Sequence, residues 1–234
     1  SSVLAQSSAA DEIIVVDDGS QDNTAELVEC RFPQVKLIRQ QNKGVSAARN
    51  NGISAARYEW IALLDSDDEW LPQKLQSIRD LQSQNPEQLL FHSNEIWIRN
   101  GRRVNQMNKH AKYGGWIFHH CLPLCVISPS AAVIRRDILE SLGGFDESLP
   151  VCEDYDLWLR ISCRYPVDLI ETPLIIKRGG HADQLSRAAG LDQYRIHALL
   201  KLLEDNMLTG PQKQAVIRTL TQKCAVYAGG FRKR

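Results

Sequence analysis

The first 84 residues alternate between short runs of strand composition and stretches of helical composition. Strands that alternate with helices form parallel pairs, because a helical crossover returns the chain to the same end of the sheet. The sequence therefore predicts an α/β fold with a mostly parallel sheet flanked by helices. The strand-like runs are EIIVVD (12–17), VKLIR (35–39) and EWIALLD (59–65), and the helical stretches span 22–30, 44–56 and 72–84.

The run EWIALLD is apolar at consecutive positions, a pattern typical of a strand that is covered on both faces. We expect this strand to lie at the centre of the sheet. Ligands of open α/β sheets bind beyond the carboxyl ends of the strands. Carboxylates follow two of the predicted strands, Asp17 and Asp18 after the first and Asp65 to Asp68 after the third. The sequence therefore predicts a polar binding site at this edge.

The alternation weakens after about residue 89, and the second half reads as mixed. Strands and loops are predicted for LLFHSNEIWI, NGRRV, GGWIFHH and PSAAVIRR, followed by a helix near 153–165. Two amphipathic helices are predicted to close the chain, at 192–206 and at 211–228.

Charge and composition exclude several classes of protein. Lys plus Arg equals Asp plus Glu at 28 each, so no net field draws the chain to nucleic acid. No apolar run approaches the ~18 residues of a membrane span, and the six cysteines include no CxxC pair. The sequence predicts a soluble, cytoplasmic protein. It leaves open a peripheral contact with the inner face of the cytoplasmic membrane, and it does not indicate an oligomeric state.

The first polar cluster is Asp17-Asp18-Gly19-Ser20, at the end of a predicted strand. A carboxylate there can accept a hydrogen bond from a nucleobase or a ribose hydroxyl, and the glycine permits close approach of the backbone. The alternative is that these residues only shape the turn and cap the following helix.

The second cluster, Asp65-Ser66-Asp67-Asp68-Glu69, places four carboxylates within five positions. These like charges repel unless a cation compensates them, and hard oxygen ligands suit Mg²⁺ or Mn²⁺ bound together with phosphates. An acidic turn before the next helix is the alternative interpretation.

The third cluster, Glu153-Asp154-Tyr155-Asp156, begins an apolar helix that can present one carboxylate to a cleft as a general base. Helix capping explains these residues equally well at this stage.

A basic, glycine-rich segment, Lys177 to His181, could close over a diphosphate, with the histidine contacting a metal or a phosphate oxygen. A loop histidine without a function is the commoner case. His119, His120, Cys121 and Cys125 match no structural zinc pattern, so we assign no zinc site to them. Trp70 and Trp116 are the tryptophans that we expect to contact a sugar face.

Five strings of the sequence, taken in order, strongly resemble the bacterial family 2 glycosyltransferases of GT-A fold. Together they span roughly Ser1 to Ser186. Each string alone is weakly specific, and the order and spacing carry the resemblance. The strings are EIIVVDDGSQDNT, NKGVSAARNNGI, YEWIALLDSDDEWLPQKL, GGFDESLPVCEDYDLWLR and KRGGHADQLS.

The resemblance implies an inverting transfer of a sugar from a nucleotide-diphosphate sugar, by default a UDP-sugar, to a hydroxyl of a glycan or lipid-linked acceptor. It implies that Asp154 is the catalytic base and that Glu153 helps to orient the acceptor. A divalent cation, Mn²⁺ or Mg²⁺, would bind Asp67 and His181, with Arg178 on the diphosphate side. The donor would be bound by Asp17, Asp18, Gly44, Arg49, Asp65 and Ser66, and the acceptor pocket would include Trp116 and Trp70.

The same resemblance implies a domain at 1–186, with a nucleotide-binding half (1–98) and an acceptor-side half (99–186), and a helical extension at 187–234. In this family a strand and a loop that shapes the base pocket precede the helix that SSVLAQ resembles. We therefore expect a segment of about 20 to 25 residues, which includes the first strand, to be missing from this sequence.

Two other functions are compatible with parts of the pattern. A nucleotide-sugar binding module without turnover would keep the donor residues and dispense with the base at Asp154. A phosphatase of the type that places DxD at a strand end would leave the GGFDE and ED segments without a role, and we disfavour it for that reason.

Overall fold

The computed structural model describes residues 1–180, 184 and 190–231 of the chain. His181, for which a metal contact was predicted, lies outside the described residues. The strands are β1 (Ile14–Asp17), β2 (Lys36–Arg39), β3 (Trp60–Ala62), β4 (Glu69–Trp70), β5 (Leu90–Arg99), β6 (Arg102–Val104), β7 (Val133–Arg135) and β8 (Asp168–Gly179). The helices are α1 (Thr24–Arg31), α2 (Val45–Ala55), α3 (Lys74–Gln84), α4 (Phe118–Cys121), α5 (Arg136–Ser141), α6 (Glu153–Ser162), α7 (Leu191–Glu204) and α8 (Gly210–Phe231).

The α/β class is confirmed, and the pairing of the strands differs from the prediction. β1 and β2 form a parallel pair of their own. The other strands form a sheet in the order β3-β7-β5-β8-β4, with β6 added to β5, and within this sheet only β5 and β8 run parallel. The sheet is mixed rather than mostly parallel, because β7 inserts between β3 and β5 in the opposite direction.

The strand that contains EWIALLD is covered on both faces, as predicted. Ile61 and Leu63 belong to the largest hydrophobic cluster, whereas Ala62 and Leu64 pack against a second cluster. The predicted central position is wrong. β3 is the edge strand of its sheet, and none of the described residues forms a strand along its outer side.

The predicted helices are present within a few residues of their expected bounds, and two further helices, α4 and α5, were not predicted. The segment GGWIFHH was predicted as a strand or loop, but residues 118–121 form the short helix α4. His119 and His120 are therefore exposed on a helix, and the His120 ring stacks on Tyr113 at a centroid distance of 3.7 Å.

The largest hydrophobic cluster is built around α6. Tyr155, Leu157 and Trp158 are at most 1% exposed, and every residue of α6 except Asp154 is buried. The two C-terminal helices contribute Leu199 and Val216 to this same cluster. The predicted helical extension therefore shares its core with the preceding domain. In the described part of the chain, no helix is long and apolar enough to cross a membrane.

Candidate active site

Arg49 joins two of the acidic clusters predicted from the sequence. Its guanidinium donates to Oδ1 of Asp65 and to Oε1 of Glu153, at 2.6 Å in each case. The side chain is 12% exposed and lies over the Phe145 ring, 5.0 Å from the centroid. Burial by itself would lower the pKa of Arg49, but the two carboxylates raise it above its ordinary value. Arg49 thus fixes the end of β3 against the start of α6.

Asp154 is the one residue of α6 that is not buried. Its Oδ2 lies 3.2 Å from the Cys125 thiol, and its Oδ1 accepts the backbone N–H of Tyr155 at 2.7 Å. The thiol also lies 3.2 Å from the Ile127 carbonyl. Burial, with the adjacent Asp154, raises the pKa of Cys125 well above its ordinary value, so the thiol keeps its proton and can donate it. The Asp154 carboxylate is thus both accessible and oriented.

The residue that precedes Glu153 and Asp154 has an unusual backbone conformation. Cys152, the N-terminal cap of α6, has φ 63° and ψ 20°, in the left-handed region that non-glycine residues rarely adopt. Glu153 follows and is 7% exposed. Burial and the neighbouring Asp154 raise its pKa, and Arg49 opposes this effect. Positive-φ residues often occur at functional sites, where the surrounding structure holds them in place.

Hydrogen bonds to buried residues hold the loop that follows β3 in place. Asp68 is buried and accepts hydrogen bonds from the Ser130 hydroxyl at 2.7 Å and from the Arg178 backbone N–H at 2.9 Å. Burial raises its pKa to about 6. The Ser130 hydroxyl also accepts the N–H of Asp65 at 3.0 Å. The Ser66 side chain is exposed and Asp67 is partly exposed, so this anchoring presents them to solvent.

Arg178, predicted on the diphosphate side, pairs with Glu69. Its Nη2 lies 2.6 Å from Oε1 of Glu69, and both side chains are 46% exposed. An exposed pair of this kind contributes ~0 to 1 kcal/mol. It can therefore open toward a more strongly charged partner at little cost.

Asp17 and Asp18, which were predicted to bind the donor, hold the loops next to the end of β1 in place. Asp18 accepts hydrogen bonds from Gln40 at 2.7 Å and from the backbone N–H groups of Lys43 and Gly44 at 2.9 and 2.8 Å. Gly44, at φ 90°, caps the N-terminus of α2. Asp17 accepts the N–H of Ser20 at 3.1 Å. The turn-shaping interpretation of these residues therefore holds, and it is compatible with a ligand contact.

The two tryptophans predicted for the acceptor side differ in exposure. Trp116 follows two glycines and is 65% exposed. Trp70 is 6% exposed, donates its indole N–H to the Ser130 carbonyl at 2.9 Å, and has the Lys74 ammonium 5.4 Å from its ring centroid. The prediction that Trp70 contacts a sugar is wrong, because the ring is part of the second hydrophobic cluster.

Sequence reasoning missed the residues that support the acidic groups, namely the buried Ser128 and Ser130 and the half-buried Cys125 and Lys177. Lys177 was part of the basic segment, but Arg178 and His181 were preferred over it. The period of a strand offered a signal, since neighbouring residues point to opposite faces. Arg178 reaches exposed Glu69, and Lys177 instead donates to the Ser128 hydroxyl at 2.7 Å inside the protein.

A single carboxylate of the turn Asp65-Ser66-Asp67 could share a cation with a ligand. Among residues 1–180, 184 and 190–231, no group of three or more His, Cys, Asp or Glu is arranged to hold a metal ion. Divalent cations at phosphate sites are often held by only one or two carboxylates together with the phosphates. Asp67 is accessible for such a role.

Comparisons with solved structures identify the fold. The chain superimposes on the S. aureus TarS 1–349 fragment, crystallised with UDP-GlcNAc, with a TM-score of 0.74 at 19% identity; the match covers 94% of this chain and 66% of that one. It also matches the mannosyltransferase PcManGT of Pyrobaculum calidifontis, solved in complex with GDP-Man and Mn²⁺, with a TM-score of 0.61 at 17% identity; the match covers 97% of this chain and 69% of that one. The fold is that of the GT-A glycosyltransferases.

The sequence comparisons identify the family. Residues 1–143 match glycosyl transferase family 2, and the chain belongs to that family. The Escherichia coli UDP-Glc:alpha-D-GlcNAc-diphosphoundecaprenol beta-1,3-glucosyltransferase WfgD is 33% identical over 163 residues, which cover 69% of this chain and 62% of that protein. The chain spans between 32% and 62% of the length of three such relatives, WfgD among them.

Proposed function

We propose that the chain is an inverting glycosyltransferase that moves a sugar from a UDP-sugar to a hydroxyl of a glycan or lipid-linked acceptor. One observation carries the proposal. Asp154 is the only residue of α6 left accessible, beside Glu153, which Arg49 ties to Asp65 at the end of β3. This arrangement supports a base at Asp154 next to the turn at which a nucleotide-sugar would bind. The sugar transfer would take place in the cytoplasm, with a peripheral membrane contact where the acceptor is lipid-linked.

The donor would bind along the carboxyl ends of β1 and β3. Asp17 and Asp18 would contact the nucleoside, and Asp65 and Ser66 would contact the ribose or the sugar. The hydrogen bonds from Lys43 and Gly44 to Asp18 would set the position of the loop around the base. The name of WfgD specifies a UDP-linked donor and a diphosphoundecaprenol acceptor, which supports both classes for this chain.

Asp154 would remove the proton from the acceptor hydroxyl as its oxygen attacks the anomeric carbon. Attack opposite the leaving diphosphate inverts the configuration, and no covalent intermediate with the enzyme is needed. Glu153 is held by Arg49 and would orient the acceptor. The exposed Trp116 would offer its ring to an acceptor sugar.

Asp67 would hold a divalent cation, Mn²⁺ or Mg²⁺, together with the donor phosphates. When bound, such an ion supplies Lewis-acid stabilisation to the departing diphosphate. Arg178 would move from Glu69 to the diphosphate as charge develops there, and His181 would act on the same side. The Mn²⁺ in the PcManGT complex supports the choice of ion.

Donor binding and its metal dependence test this function directly. Thermal unfolding would be followed with UDP-, dTDP- and GDP-sugars, with and without Mn²⁺. We expect one class of UDP-sugar to raise the melting temperature when Mn²⁺ is present. Asp67→Asn should lose the metal-dependent part of this shift, whereas Asp137→Asn, a change on the exposed start of α5, should retain it. If no nucleotide-sugar stabilises the protein in the presence of metal, the assignment fails.

Release of UDP from the identified donor then separates an enzyme from a binding module. Turnover with any hydroxyl acceptor, water included, supports the enzyme, and inversion predicts a β-linked product from an α-linked donor, visible in the anomeric proton coupling by NMR. Saturable donor binding without UDP release across a range of glycan and lipid-linked acceptors would favour the module.

A further inference from the structure

We propose that the Ser130 hydroxyl and the Asp68 carboxylate are positioning groups for donor binding, which hold the turn at 65–68 in a fixed place against the end of β8. The inference rests on the proposed function, in which this turn and Arg178 contact the donor or its metal ion. Neither Ser130 nor Asp68 would touch the donor. They would act through Asp67 and Arg178, which they keep at a set distance from each other.

One hydroxyl group is attached to both ends of the turn. Ser130 Oγ accepts the N–H of Asp65 at 3.0 Å and donates to Oδ2 of Asp68 at 2.7 Å. The N–H of Asp68 donates to the Asp65 carbonyl at 3.1 Å, which is the hydrogen bond that closes a β-turn. Ser66 and Asp67 occupy the two central positions, and both are more exposed than Asp68. The way in which the turn presents Asp67 therefore depends on Ser130.

Ser130 is itself held firmly by its backbone. It is 0% exposed and lies in a single 3₁₀ turn, Pro129–Ala131. Its carbonyl accepts the indole N–H of Trp70 at 2.9 Å, and the carbonyl of Ala131 accepts the Lys74 ammonium at 2.9 Å. A hydroxyl on a buried backbone with these contacts is a fixed point against which the neighbouring acidic turn is set.

Asp68 connects the turn to β8. Its Oδ1 accepts the backbone N–H of Arg178 at 2.9 Å. The preceding residue of the strand, Lys177, donates to the Ser128 hydroxyl at 2.7 Å, next to the 3₁₀ turn. These bonds fix the point at which the Arg178 side chain leaves the strand. Arg178 could then exchange Glu69 for a diphosphate by rotation of its side chain, without movement of β8.

The stability of the fold does not account for a carboxylate at position 68. Asp68 is 7% exposed, and its contacts to the described residues are hydrogen bonds with no ion pair among them. Burial raises its pKa to about 6, so at neutral pH, above that value, the ionised group lowers the stability of the fold. What Asp68 provides is the connection between the turn and the strand.

Two neutral substitutions separate this connection from the charge. Asp68→Asn and Asp68→Ala remove the same charge, but the amide can still accept the Arg178 N–H and donate to Ser130 Oγ, which has a second lone pair. We expect UDP binding with Mn²⁺ present, measured by calorimetry, to be about 10-fold weaker in Asp68→Ala than in Asp68→Asn. Both variants should fold, because replacing a buried charge that has no ion pair removes its desolvation penalty.

Ser130→Ala tests the hydroxyl. It should weaken UDP binding with Mn²⁺ by about 10-fold and raise KM for the donor by a similar factor, with a smaller change in kcat at saturating donor. The matched control is Ser93→Ala. Ser93 is also 0% exposed, but its hydroxyl has no hydrogen-bond partner among the described residues, so its loss should leave UDP binding unchanged. A purely structural role of Ser130 would lower stability without changing the UDP affinity of the folded protein.

The wild type, measured in parallel, distinguishes the two ways to fail. If it binds neither UDP nor a UDP-sugar with Mn²⁺ present, the proposed function is wrong and this inference falls with it. If the wild type binds UDP but Asp68→Ala and Asp68→Asn bind it equally well, only the connection through Asp68 is wrong. Wild-type affinity in folded Ser130→Ala would overturn the role of the hydroxyl. If Ser130→Ala does not fold, the two Asp68 variants decide the inference by themselves.

Discussion

Glu95 shows at the scale of a single residue how this protein keeps charges in its interior. Its side chain is 0% exposed, and it is surrounded by the Lys112 ammonium, the Trp97 indole and the Ser128 hydroxyl. Burial alone would raise the pKa of Glu95, but Lys112 and Lys177 lower it from 4.5 to about 2. A carboxylate that is more acidic in the folded state stabilises the fold while it stays ionised.

The first prediction follows from the sign of this shift. The contribution of Glu95 is fully present above its unfolded pKa of 4.5 and is lost as pH falls toward its folded pKa of about 2. It amounts to about 3 kcal/mol at neutral pH, of which about 2 kcal/mol is gone by pH 3. Urea unfolding between pH 7 and pH 3 should show a smaller loss of stability in Glu95→Gln than in the wild type.

The matched control for this prediction is Glu26→Gln. Glu26 also pairs with a cation, Arg39, but its side chain is 61% exposed. The pH dependence of its unfolding free energy should follow that of the wild type. Equal slopes in the wild type and Glu95→Gln would show that Glu95 is not held ionised by its neighbours.

Sequence could predict the acidic members of the site better than the residues that support them. Asp65, Glu153 and Asp154 follow strands or begin helices in acidic clusters, which is a local signal. The supporting contacts have none, because Ser130 meets Asp68 across 62 positions and Lys177 meets Ser128 across 49. Serine and lysine at such positions look like ordinary surface residues until the fold brings them together.

At the scale of elements, Arg49 is the junction of three segments. It extends from α2, holds Asp65 at the end of β3 and holds Glu153 at the start of α6. Because Glu153 is 7% exposed, its charge has little water to stabilise it once the guanidinium is removed. Breaking a buried pair from one side typically costs 3–5 kcal/mol, so we expect about 3 kcal/mol here.

Arg49→Met should therefore lower the unfolding free energy by about 3 kcal/mol. It should also lower the rate of sugar transfer. The chain offers a close control in Arg39, which also binds two carboxylates, Glu26 and Glu29, but is 46% exposed. Arg39→Met should cost less than about 1 kcal/mol and leave transfer intact. Chemical denaturation measures the loss of unfolding free energy in each variant. Equal losses in the two variants would contradict the role of Arg49 in joining the three segments.

The elements also show where local pattern stops being informative. The apolar run of β3 correctly predicted burial on two faces, but burial does not specify which strands pair. The edge position of β3 depends on β7, which arrives from about 70 residues later in the opposite direction. Likewise, residues 118–121 are too few for periodicity to separate a helical turn from a strand.

At the scale of the whole molecule, the helix that carries the candidate base is built into the largest core. α6 is buried along its length by residues from the sheet side and from α7 and α8. Arg160 fastens it by donating to Asp156 and to the carbonyls of Leu142 and Gly144. This packing leaves Asp154 as the accessible position of α6.

The central claim is that Asp154 is the base of a sugar transfer, and donor turnover by Asp154→Asn tests it most directly. The change removes the charge and keeps the size of the side chain. We expect UDP release and sugar transfer to fall by at least about 100-fold, while the donor-induced thermal shift stays at its wild-type value. Transfer by Asp154→Asn at the wild-type rate would contradict the account.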